Sequence, residues 1–141
     1  MSKIFVKTHL GMGDNVVHNG MIRKIAEDNP DSQIYTAAKT HNFKNVEFMF
    51  RDNPNITVVS VDGDGGMNSH IANTNYDKVI TSHFADNNSL QYGQYFDDAF
   101  YMLVGMDPKV KTEYFHIERD KNIENEVYEE LVVKNGYTDY V

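Results

Sequence analysis

The residues best suited to chemistry lie in one short turn near the start of the chain. After the apolar run K-I-F-V-K-T at residues 3–8 comes His9-Leu10-Gly11-Met12-Gly13-Asp14. Two glycines allow a sharp turn and a close backbone approach to a ligand. Asp14 opens a helical pattern, where a carboxylate can act as an N-cap worth ~1 kcal/mol. In a cleft the same carboxylate can take a proton from a hydroxyl. A helix N-terminus stabilises the ionised carboxylate by about 0.3–1 kcal/mol. Work as a base therefore calls for burial or a neighbouring carboxylate. His18, four residues on, shares a helical face with Asp14 and suits either orienting Asp14 or binding a substrate hydroxyl. Plain packing or solvation is the alternative for a lone helical histidine.

His9 and His83 each fall just past the end of an expected strand, at the same sheet edge as Asp14, where they can meet a sugar or phosphate. Exposed loop histidines are the simpler alternative. The six histidines show no H-x-x-H or H-x-x-x-H spacing, so no metal-site pattern arises. Tyr92, Tyr95, Phe96, Phe100 and Tyr101 could stack on a sugar. Core packing, at roughly 1.5–3 kcal/mol per buried large side chain, explains most of them more simply.

The turn does not read as a dinucleotide site. The third glycine of G-x-G-x-x-G is replaced by Val16, and the end of the second strand reads Ala37-Ala38-Lys39 with no acid. A carboxylate in the first helical turn would also repel a phosphate there.

These residues are positioned by an alternation of strands and helices. Strands are expected at residues 3–8, 33–38, 56–61 and 76–81, with a fifth at 112–117. Helices are expected at 14–28, where Val17, Met21 and Ile25 recur every four residues, and at 43–50 and 92–106. A last amphipathic helix at 121–134 carries Ile123, Val127 and Leu131 and closes at Gly136. Asp62 to Gly66 reads as a glycine-rich loop before a weak helix, and residues 137–141 as the start of another strand. This order predicts right-handed βαβ units and a Rossmann-like, doubly wound, mostly parallel α/β sheet. In such sheets ligands gather at the carboxyl ends of the strands.

The length of 141 residues suits one domain. A net charge of −8 and scattered basic residues argue against nucleic-acid binding. The absence of cysteine excludes disulfides, thiolate metal sites and a thiol nucleophile. No stretch approaches the ~18 apolar residues of a membrane span, and the N-terminal apolar run is too short for a signal peptide. The expected location is the cytoplasm.

The segment G-M-G-D-N-V-V-H-N-G-M-I-R-K-I at residues 11–25 resembles the N-terminal motif of heptosyltransferase-like glycosyltransferases. The Asn-Pro-Asp segment at residues 29–31 and the loop at 39–42 fit the same pattern. That resemblance implies a GT-B fold of two facing Rossmann-like domains, of which this chain supplies the acceptor-side half. It implies that Asp14 is the general base for an acceptor sugar hydroxyl, with Gly11, Met12 and Gly13 bordering the acceptor cleft. The acceptor would be a carbohydrate or glycolipid. The nucleotide-sugar donor, a substrate rather than a cofactor, would be held by a second domain that the chain lacks. No metal is implied, and the isolated chain should not transfer sugar alone.

Two other readings stay open. Asp62-Gly63-Asp64 after an apolar strand has the setting of the metal-binding Asp-x-Asp motif of GT-A transferases, although Gly65-Gly66 suits a plain turn. A non-catalytic Rossmann-like module is the other. It would bind a small ligand, or pair with a second copy through the edge of the C-terminal strand.

Overall fold

In the computed structural model, residues 1–83 and 95–136 are described. The first strand, β1 (Ser2–Thr8), leads into helix α1 (Met12–Asp28). Strand β2 (Ser32–Lys39), helix α2 (Phe43–Phe50) and strand β3 (Ile56–Val61) follow. Helix α3 (Asp64–Asn73) then crosses to strand β4 (Lys78–Ser82). Beyond it lie α4 (Phe96–Leu103), α5 (Val110–Glu113) and α6 (Lys121–Tyr128), the last running into a π-helical turn (Glu129–Val133).

All three strand pairings are parallel, in the order β3-β2-β1-β4. Ile4, Val6, Ile34, Ala38 and Val58 point to one face, where they pack on Met21, Ile22 and Ile25 of α1, Val46 and Phe50 of α2, and Phe100 and Tyr101 of α4. Phe5, Ala37 and Val61 point to the other face and pack with Leu10 and Met67. The sheet thus has helices on both faces, a Rossmann-like doubly wound arrangement.

Several expected boundaries move, each for a local reason. Helix α1 starts at Met12 instead of Asp14, with Gly11 extended at the N-cap (φ −64°, ψ 150°). Asp64 already belongs to α3, so the expected loop shrinks to Asp62 and Gly63. Strand β4 begins at Lys78, because Tyr76 packs its ring on Phe5 and Tyr35. The expected helix over residues 92–106 is α4, eight residues long, and 92–94 lie outside the described residues, as does the expected strand at 137–141. Gly136 adopts the left-handed conformation (φ 70°) just past the last helix, where a glycine was expected.

The expected fifth strand at 112–117 does not form. Its first residues complete α5, and the rest is irregular chain held by side chains of α1. The Asn19 amide donates to His116 O at 3.1 Å and accepts from His116 N–H at 3.0 Å, satisfying one residue's backbone as a neighbouring strand would. Arg23 also donates to His116 O, and it grips Asp52 with both terminal nitrogens at 2.9 and 2.7 Å. That guanidinium holds the Asp52 carboxyl below the usual carboxylate range.

Helix α1 is held from its buried side by Tyr101. This hydroxyl donates to Val17 O at 2.7 Å and accepts from Met21 N–H at 3.1 Å, bridging two groups that face each other across a helical turn. Burial pushes the phenol up to about 12. One turn away, a Cβ on Gly20 would lie 2.6 Å from Val110 O and 3.1 Å from Lys111 O, so α1 and α5 touch backbone to backbone. Gly20→Ala should gain about 1 kcal/mol of helix propensity and lose roughly 1–3 kcal/mol to overpacking. A backbone carbonyl cannot rotate away, so the loss wins. Urea denaturation should show a lowered midpoint, and an unchanged or raised midpoint would contradict this contact.

Candidate functional site

Strands β1, β2 and β3 step outward on one side of β1, and α3 returns the chain to the other side, where β4 pairs with β1. The order therefore reverses between β1 and β4, and a doubly wound sheet opens its ligand crevice at such a point. The register of the pair brings Thr8 opposite Ser82. The next residues are His9 and His83.

Their imidazoles stack, with ring centroids 4.0 Å apart and planes 5° from parallel. His83 is buried, and its Nε2 lies 3.6 Å from Asp64 Oδ1 in the first turn of α3. His9 is half-buried and tilts against the Phe100 ring at 5.3 Å. Burial holds the His9 imidazole below the usual histidine range, and His83 lowers it further, against the opposing pull of Asp14 and Asp64. The two carboxylates that pull on His9 stand one in the first turn of each flanking helix.

Asp14 is the third residue of α1, half-buried, and does not cap the helix with its side chain. The turn before it needs no left-handed glycine. Gly11 matters through proximity instead, since a Cβ there would stand 2.5 Å from Asp14 Oδ2, so the bare backbone lets the carboxylate fold back over the turn. Gly13 is exposed and faces open space. Met12 packs its side chain against the main core. Asn15, fully buried beside Asp14, donates from Nδ2 to Gly11 O at 2.9 Å, while its Oδ1 has no hydrogen-bond partner among the described residues.

His18 lies beneath the stack, fully buried. It meets the backbone of Asp14 rather than the carboxylate, with Nδ1 2.6 Å from Asp14 O, and its Nε2 lies 3.1 Å from Ser82 Oγ. A carbonyl only accepts, so Nδ1 carries the proton in the neutral ring. Burial pushes this imidazole down to about 4. Phe100 covers it with ring centroids 4.3 Å apart.

The crevice therefore joins Asp14, His9 and His83 around a floor of His18, Ser82 and Phe100. Asp64 reaches His83 from α3, and both it and Asp62 are exposed. Among the described residues, no three His, Asp or Glu side chains converge as a metal would require. Of the aromatics considered for stacking, Phe100 and Tyr101 are core, Tyr95 and Phe96 are exposed, and Tyr92 lies outside the described residues. Phe100 was considered among the aromatics and is core, as most of them were expected to be, whereas Ser82 escapes sequence reading because it belongs to no motif. Ser82 is identifiable only as the residue closing β4. A cavity of about 570 Å³ between α2 and β3 lies elsewhere, reaching Asn53, Pro54 and Ile56 at the amino end of β3.

Comparison with protein-family models, curated proteins and solved structures finds no match to this chain.

The His18 ring predicts an acid sensitivity. An unfolded histidine binds a proton near 6.5 and the buried ring only near 4. Between those values the unfolded chain holds the extra proton, so stability falls as pH falls, by roughly 3 kcal/mol over the window. Chemical denaturation between about pH 6.5 and pH 4 should show that slope reduced in His18→Gln. Equal slopes in the two proteins would contradict the buried neutral ring.

Proposed function

We propose that the chain is the acceptor-side domain of a heptosyltransferase-like GT-B glycosyltransferase. In this reading Asp14 accepts the proton of an acceptor hydroxyl, and the freed oxygen attacks the anomeric carbon of a nucleotide-sugar with inversion as the nucleotide leaves. General-base assistance of this kind is worth about 10²–10⁴ in rate. His9 and His83 line the acceptor crevice, Gly11 to Gly13 border it, and His18 fixes the first turn of α1. The acceptor is a carbohydrate or glycolipid, and the donor is held by a second domain or subunit. We place the reaction in the cytoplasm and assign it no metal. Among the described residues no helix is long and apolar enough to cross a membrane.

The observation that carries the reading is the stacked His9–His83 pair at the strand-order reversal, with the carboxylate of Asp14 in the first turn of α1 close enough to act on the His9 ring. A half-buried carboxylate beside imidazoles suits hydroxyl groups. The two carboxylates, one at each helix N-terminus, oppose a phosphate and so a dinucleotide at the same place.

Titration with simple methyl glycosides, followed by amide NMR, tests this directly. Shifts should gather at residues 9–15 and at His83. Asp14→Asn should weaken binding at least tenfold, as loss of a hydrogen bond to a charged group does. Shifts confined to the cavity between α2 and β3, or an unaffected Asp14→Asn, would remove the proposal.

A subunit-pairing module is the second reading, favoured by one feature. Ile123, Val127 and Leu131 form an exposed apolar stripe along α6 and the π turn. If that reading holds, sedimentation should find a concentration-dependent dimer that Val127→Glu dissolves, and a monomer at all concentrations would exclude self-pairing.

A further inference from the structure

Ser82 closes β4 and immediately precedes His83, and its side chain is fully buried. Its hydroxyl donates to Phe100 O at 2.9 Å and lies 3.1 Å from His18 Nε2. Phe100 O is among the last four carbonyls of α4, which lack onward helical donors, and Val104 N–H turns to Tyr101 O. One hydroxyl thus joins the end of β4 to α1 on one side and to α4 on the other. The aromatic contacts return along a second route. His83 stacks on His9 at 4.0 Å, His9 leans on Phe100 at 5.3 Å, and Phe100 covers His18 at 4.3 Å. The contacts close a circuit around the crevice floor, and Ser82 joins its polar arm to its aromatic arm.

Proton counting shows how tightly the polar arm is drawn. Asp14 O and Phe100 O are acceptors only. Two protons, one on His18 Nδ1 and one on Ser82 Oγ, serve three contacts. With the ring neutral, the serine proton goes either to Phe100 O or to His18 Nε2, and each choice leaves one contact without its proton. The proton that would complete the set is the one that burial keeps off the ring.

We propose that Ser82 is a positioning residue of the crevice, its buried hydroxyl holding the end of β4 between Phe100 O of α4 and His18 Nε2 of α1, with one proton shared between the two, and so setting the spacing of His83 from His9 and Asp14. The inference rests on the reading of this crevice as the acceptor site. The tie is polar and directional, so a methyl group of similar size does not replace it. A second hydroxyl residue does, and threonine suits a strand.

The test compares the whole chain with Ser82→Ala and Ser82→Thr by imidazole NMR. In the wild type the ring protons of His9 and His83 should be shifted upfield by each other's ring currents. Ser82→Ala should lose most of that shift and bind methyl glycosides roughly three- to tenfold more weakly, as loss of one hydrogen bond implies. Ser82→Thr should keep both properties. Should Ser82→Ala not fold, Ser82→Cys, with a similar shape and a weak donor, carries the same comparison. Ring-current shifts unmoved in a folded hydroxyl-less variant would overturn the inference, even if that variant were less stable. Absence of glycoside binding by the wild type would defeat the acceptor reading, while the ring-current comparison would still decide the tie.

Discussion

The register of β4 against β1 is the constraint from which the crevice follows. After β3 the chain leaves the α1–α2 face, and α3 crosses the opposite face of the sheet. A right-handed crossover there delivers the next strand to the free side of β1. Parallel pairing with Thr8 opposite Ser82 then makes the following residue of each strand a neighbour of the other. Two histidines occupy those positions, 74 residues apart in sequence, and their rings lie face to face. A slip of one residue in this pairing would turn one imidazole to the other face of the sheet.

Holding that register involves burying polar groups, which is costly unless they are bonded. Helix α1 carries most of the arrangement. Its buried face includes Asn15, His18 and Asn19 beside Met21, Ile22 and Ile25. Asn19 takes both backbone groups of His116, His18 spans Asp14 O and Ser82 Oγ, and Tyr101 reaches Val17 and Met21. These bonds are directional, so they fix the rotation of α1 more sharply than apolar packing could. That rotation determines where Asp14 stands. The small residues of the helix serve the same end: Gly20 lets α5 approach, and Gly11 leaves space for the carboxylate.

The sheet was legible in the sequence because its strands announce themselves locally. Ile56–Val61 is β-branched at every position but Ser60, and the glycine turn after Thr8 separates β1 cleanly from α1. The burial of α1 was less legible. A four-residue apolar stripe pointed to Val17, Met21 and Ile25, whereas Val16 is exposed and the polar Asn15, His18 and Asn19 lie inside. Hydrophobic periodicity cannot see that His18 and Asn19 have partners 64 and 97 residues away, at Ser82 and His116. The false strand at 112–117 has the same origin. Its aromatic residues read as β, but a side-chain amide and a guanidinium claim its backbone before a strand can. Asp14, His9, His18 and His83 could be nominated from their places at strand ends and helix faces. The stack, and the part played by Ser82, depend on register, which no local pattern encodes.

The stacked pair is the element on which the account turns, and its titration tests it most directly. Among the described residues, Asp14 on α1 and Asp64 on α3 pull against His83 at the His9 ring, and both rings act on His18 beneath them. Site-resolved histidine NMR across the acid range should find His9 titrating below the ordinary 6.5, held down by burial and by its neighbour. In His83→Asn the His9 midpoint should rise, because one of the two influences that lower it is gone. An ordinary His9 titration that ignores the loss of His83 would mean that the rings do not meet, and the crevice as described here would not exist.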